Sequence, residues 1–146
     1  MKRNFLYLFV SILSLTSCSL NNNNDEIDNT VYRIEYHLIN SEAFDGTEAN
    51  FETDEIVWIF NDEDKTVTVD NTNTDEDDED GLDSGIYTVD YSSNQSYNFI
   101  IIDGDEFGAY GLNQTSLLIN QTITSTDETN EDGYIYTFRS VLVPIE

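Results

Sequence analysis

This chain has one cysteine, one proline and one histidine among its 146 residues. With Cys18 as the sole thiol there is no internal disulfide, no multi-cysteine metal centre and no redox pair. Stability must therefore come from an apolar core. Cations are nearly as scarce: five Lys and Arg stand against thirty Asp and Glu, for a formal net charge of −25. Lys2 and Arg3 sit at the very start, which leaves Arg33, Lys65 and Arg139 for everything that follows. Nucleic acid and anionic headgroups both need cationic contacts, so nucleic-acid binding is excluded. The acidic surplus favours solubility and attracts divalent cations or basic partners.

Catalytic sets are also thin. His37 falls on the polar face of its strand beside Glu35 and reads as a surface residue. No Ser–His–Asp arrangement or histidine-based metal site can be completed around it. Among thirty carboxylates some pair falls at any separation by chance, so a two-carboxylate glycosidase is not indicated. The chain reads as a non-enzyme.

No long hydrophobic run is present either. The longest, Phe5 to Leu15, has eleven residues behind the basic pair Lys2–Arg3. A helix needs about 20 apolar residues to cross a bilayer, so this run reads as a signal-peptide core. Leu15-Thr16-Ser17-Cys18 follows it directly. These four residues resemble the lipobox of bacterial lipoproteins. The resemblance implies cleavage after Ser17, a diacylglyceryl thioether on Cys18 and acyl chains that hold the protein on the outer membrane, on its periplasmic or cell-surface face. Two or three chains anchor stably where one binds only marginally. Residues 1–17 are then a signal peptide, 18–30 a lipidated cysteine with a polar tether, and 31–146 one acidic domain.

From Val31 the apolar period is two. Tyr32, Ile34, Tyr36 and Leu38 alternate with Arg33, Glu35 and His37, as in a half-buried strand. Residues 40–55 read as a loop or short helix. Ile56, Trp58 and Phe60 share a face of the next strand, and Thr66 to Val69 returns after the turn at Asn61 to Asp64. The stretch 70–84 is acidic and polar, with almost nothing to bury. Further strands are expected at 87–91, 97–102, 107–112, 116–124, 134–138 and 141–145, with Asp103-Gly104 as a hairpin turn. Connections this short join antiparallel neighbours. The fold class is all-β: a seven- to eight-stranded antiparallel meander closing as a barrel or half-barrel, with an immunoglobulin-like sandwich as the alternative.

Four pieces carry a further resemblance: Ile56 to Asn61 with Thr66 to Val69; Ser84 to Val89; Ser116 to Ile119; and Asp132 to Arg139. In this order they resemble the lipocalin-like lipoproteins of the Bacteroidetes over roughly residues 31–140. The resemblance implies an eight-stranded antiparallel barrel. Lipocalins proper carry Gly-x-Trp on the first strand, with a basic last-strand residue packed against it. Here Trp58 lies one strand later and Arg139 occupies the basic place, so a cation–π contact between the two is expected.

Two groups of residues are candidates for chemistry. Trp58, Phe60, Tyr87, Tyr91, Phe99, Tyr136 and Phe138, with Arg139, either line an interior pocket for an apolar ligand or fill the core. Asp77, Asp78, Asp80 and Asp83 offer carboxylates to calcium. They do not follow an EF-hand, because Tyr87 falls where the bidentate glutamate is required. No other cofactor is suggested. The expected function is that of a lipid-anchored envelope lipoprotein whose barrel binds an envelope protein or an apolar small molecule. A calcium-stabilised structural envelope component is the alternative.

Overall fold

The computed structural model describes residues 30–126 and 128–145. The signal segment, the lipobox with Cys18 and the tether up to residue 29 lie outside the described residues. Nine strands follow in chain order: β1 (Val31–Ala43), β2 (Glu48–Asn50), β3 (Ile56–Asn61), β4 (Thr66–Asn71), β5 (Gly85–Ser93), β6 (Asn98–Ile102), β7 (Asp105–Leu112), β8 (Ser116–Asn120) and β9 (Tyr134–Ile145). From β3 to β9 each strand pairs antiparallel with the next, and β1 pairs with β3 on one edge and β9 on the other. The sheet is therefore closed into an eight-stranded barrel, with β2 an extra strand on β1. Closure through β1 and β9 decides for the barrel over the sandwich.

Local chemistry accounts for the turns. Asp103 and Gly104 have φ of 51° and 93°, the pair of left-handed residues that a type I′ hairpin needs. The Asp103 carboxylate accepts hydrogen bonds from the Thr88 backbone N–H at 2.7 Å and its hydroxyl at 2.9 Å. The 40–55 stretch is not the loop or short helix expected. β1 runs on to Ala43 and folds back as β2, because Gly46, at φ 86°, permits a tight turn between them. Strand β8 stops at Asn120, short of the expected 124, since the Asn120 side chain bonds the Thr122 N–H and hydroxyl and turns the chain.

Alternation places Leu38, Ile56, Trp58, Val67, Val69, Val89, Ile100, Ile102, Leu117, Ile119, Tyr136 and Phe138 in one interior cluster. Two bulges shift the period. On β1, Leu38 faces Phe138 while Asn40 faces Thr137, so Ile39 is the extra residue and the inward row continues as Ser41. On β7 the register slips between Ile100↔Gly108 and Ile101↔Glu106, which admits Phe107 as an additional interior ring.

Phe99 is fully buried, as expected of a core residue, but lies apart from the main interior cluster, with its ring beside Tyr97. Two expectations are corrected here. Arg139 is exposed and pairs across the ladder with His37, on the outer face. The ring on Trp58 from β9 is instead Phe138, centroids 5.0 Å apart, so the expected cation–π contact is not made. His37 is not a surface residue: it is only 4% exposed. Its Nδ1 lies 2.7 Å from Asp54 and its Nε2 3.3 Å from Glu35, which Arg33 grips at 2.6 Å. Neither imidazole contact is aligned as a hydrogen bond. The loop residue Asp54, held at φ 71°, brings its carboxylate over the ring, a contact that strand alternation cannot announce.

Candidate functional site

The two barrel ends differ. One rim carries the β3–β4, β5–β6 and β7–β8 turns and both chain ends. The other carries the longer loops 44–55, 72–84 and 121–133. That second rim is closed by the acidic loop, which is not the unburied segment expected. Gly81, at φ 90°, lies so close that a Cβ would sit 3.5 Å from both the Trp58 and Tyr136 rings. Leu82 packs on the core, and the Tyr136 hydroxyl donates to Glu79 Oε1 at 2.8 Å. The loop is a plug, anchored by one apolar and one charge-assisted contact.

The plug's carboxylates are not gathered around a centre. Asp77 and Asp78 face a groove of about 190 Å³ together with Asp45, Glu48 and Glu79. Asp80 accepts a bond from Asn73, and the Asp83 carbonyl accepts one from the Tyr87 hydroxyl. Among the described residues no three His, Cys, Asp or Glu side chains are grouped to hold a metal ion, so Asp77, Asp78, Asp80 and Asp83 do not form the expected cradle.

Burial first, and the nearby Glu79 charge second, push the Tyr136 phenol far above its ordinary value of 10.0. Burial, followed by Asp62, raises Tyr36 and Tyr91 as well. The native state thus holds these protons more tightly than the unfolded chain does. Their contribution is complete below about pH 10 and is lost as pH climbs above it, at up to about 1.4 kcal/mol per pH unit for the buried Tyr136 and by less for the more exposed Tyr36 and Tyr91. Urea unfolding at pH 8, 10 and 11 should show stability falling only over the last step. Tyr136→Phe should flatten that fall; an unchanged slope would mean Tyr136 is not the linked group.

The first rim is open. At its mouth lies a cavity of about 130 Å³ lined by Tyr36, Phe60, Asp62, Tyr91, Ile100, Tyr110, Leu112 and Leu117. Strand β1 supplies Tyr36, β3 Phe60, β5 Tyr91 and β7 Tyr110, four rings from four strands. Tyr36 meets Phe60 edge-on with centroids 5.6 Å apart, and Tyr91 lies 5.6 Å from Tyr110. Asp62, at the β3–β4 turn, is the lone charged group in the lining. No family model, curated protein or solved structure matches this chain.

The expected pocket or core residues divide accordingly. Phe60 and Tyr91 line the cavity; Trp58, Tyr136 and Phe138 are the packed floor beneath; Tyr87 is half-buried beside them; Phe99 is fully buried away from the cavity, and Arg139 is exposed. Tyr36, Tyr110, Ile100, Leu112, Leu117 and Asp62 were missed. The inward period of β1 pointed to Tyr36, whereas Tyr110 becomes inward only through the β7 bulge. A cavity this size holds about one six-membered ring or its equivalent, well below the several hundred Å³ of a pocket that engulfs a lipid. Most of the aromatics fill the core.

Proposed function

We propose that this chain is a non-catalytic binding module, tethered to the bacterial outer membrane through acyl chains on Cys18, that takes a small organic cation into its aromatic mouth. The observation that carries the ligand class is the four-ring cavity with one carboxylate and no cation in its lining. Ring faces are electron-rich and attract ammonium groups, most strongly where water is displaced. Tyr36 and Tyr91 are uncharged at neutral pH, as tyrosines ordinarily are, and Asp62 supplies the counter-charge. A net charge of −25 concentrates cations around the whole molecule. The lipobox-like Leu15-Thr16-Ser17-Cys18 and the likeness to lipocalin-like lipoproteins support the envelope address.

Choline and its uncharged isostere 3,3-dimethylbutan-1-ol separate charge from shape. In an NMR titration of the mature chain, choline should bind about tenfold more tightly than the isostere, equivalent to about 1.4 kcal/mol of cation–π and Asp62 attraction. Asp62→Asn should erase much of that preference. Equal affinities would reduce the site to a plain apolar pocket. Binding of neither compound would overturn the small-ligand reading.

A further inference from the structure

The open rim differs from the rest of the surface in shape, charge and apolar exposure. Strand β3 reaches β1 only at Tyr36 and His37, and β8 reaches β9 no further than Arg139. Beyond these points β1 and β9 continue as a two-stranded ribbon, with Val31 opposite Ile145 and Ile34 opposite Leu142. Among the described residues no other strand joins the ribbon's edges. Apart from Arg33 and Glu35, its large side chains are apolar, and Val31, Tyr32, Ile34, Leu142 and Ile145 are all half or more exposed or close to it, Leu142 at 67%. Exposed Tyr91, Tyr97 and Leu112 stand on the same rim. Scattered apolar residues are ordinary, but a cluster at one end marks a contact surface.

Charge is segregated the same way. Arg33 on the ribbon, Lys65 in the β3–β4 turn and Arg139 beside the β7–β8 turn place every Lys and Arg of the domain on this side. Most of the acids crowd the opposite rim, in the run Asp75 to Asp80 with Asp83 and in loops holding Asp45, Glu52, Glu55, Glu131 and Asp132, while the open rim carries Asp62, Glu63 and Asp64 beside Lys65. Cys18 precedes Val31 by about a dozen residues, a reach of at most about 45 Å when fully extended. The tether therefore enters at the rim that is apolar and least acidic.

We infer that this domain rests on the bilayer with that rim, the β1–β9 ribbon lying in the headgroup layer and the acidic rim turned away. Tyrosine with aliphatic neighbours is the composition of a membrane interface. Anionic lipid repels the acidic loops and so selects the same orientation. A second copy of the chain is a poor occupant of the ribbon, since two bodies of this net charge repel. The mouth cavity opens on this rim, so its ligand approaches along the headgroup layer. The inference takes from the proposed Cys18 anchor only the chain's presence at a membrane; the choice of rim comes from the side chains.

The test labels the mature chain with bimane at Leu142→Cys or, on the far rim, at Phe44→Cys, both exposed positions. The chain is placed on vesicles of phosphatidylethanolamine and phosphatidylglycerol containing a shallow doxyl lipid. Quenching at position 142 should exceed that at 44 by at least about threefold, because the ribbon enters the interface. Equal quenching, or stronger quenching at 44, overturns the orientation. Intact mass of the same sample reports acylation of Cys18. Should the chain prove unacylated, which sinks the anchor alone, an amino-terminal hexahistidine in place of residues 1–18 on nickel-chelating lipid presents the same rim and the same two outcomes.

Discussion

Replacing Trp58 with alanine is expected to remove about 3–5 kcal/mol of folding stability, the range for deleting a large aromatic from a packed interior. Trp58 is 1% exposed and joins three parts of the barrel. Its ring lies 5.0 Å from Phe138, 5.6 Å from Phe107 and 6.2 Å from Phe60, and Gly81 of the acidic plug rests on it from below. No disulfide reinforces the fold within the described domain, so such a loss consumes a large share of the 5–15 kcal/mol typical of a whole domain. The plug should loosen along with the core, visible as faster amide exchange across residues 79–82. The indole N–H adds a second test: it is buried with no hydrogen-bond partner among the described residues. Trp58→Phe removes that unsatisfied donor, worth about 1–3 kcal/mol, while leaving a smaller cavity. It should therefore cost much less than Trp58→Ala in a urea titration. Equal losses would show that the indole N–H carries no penalty.

Gly133→Ala is the second substitution with a large expected effect. A Cβ built at Gly133 would lie 2.7 Å from the backbone C and O of Gln121 and 2.9 Å from the Thr122 nitrogen. These are main-chain atoms, so no flexible side chain can give way. The contact lies where β8 hands over to β9, and Gln121 N–H donates to the Tyr134 carbonyl at 2.9 Å there. Prying the two segments apart should cost about 1–3 kcal/mol, as overpacking does. Gly111→Ala is the control, since nothing lies within 4 Å of its built Cβ. Thermal melts should show a clear loss for the first and little change for the second. A shared, small effect would mean the β8–β9 junction has room to relax.

Both predictions concern the packed lower half of the barrel, above which the mouth cavity stays open. The plug, Trp58, Phe107, Tyr136 and Phe138 fill the interior from the acidic rim upward. The rings of Tyr36, Phe60, Tyr91 and Tyr110 remain at the top without enough bulk to meet across the opening.

The hairpins were legible because their signals are local: Ile56 to Phe60 with Thr66 to Val69, and Asp103-Gly104 between two strands, carry their turn chemistry in adjacent residues. Period alone points Tyr36, Trp58, Phe60, Tyr87 and Tyr91 inward, the first four onto the core and Tyr91 into the mouth. Ile100, Ile101 and Ile102 make β6 apolar on both sides, so alternation alone does not separate the buried Phe99 from the main interior cluster. Likeness to another barrel's last strand points Arg139 at Trp58, but next to the inward Phe138 it faces out.

Composition and a two-residue period were sufficient for an antiparallel all-β body whose stability comes from an apolar core. Those properties follow from backbone sterics and the cost of leaving apolar side chains in water, and both act within a few residues. Closure of β1 on β9, the bulges at Ile39 and Phe107, the covering of His37 by Asp54 and the docking of Glu79 on Tyr136 were settled only in three dimensions. Each joins residues far apart in the chain, and its energy exists only once the barrel has brought them together.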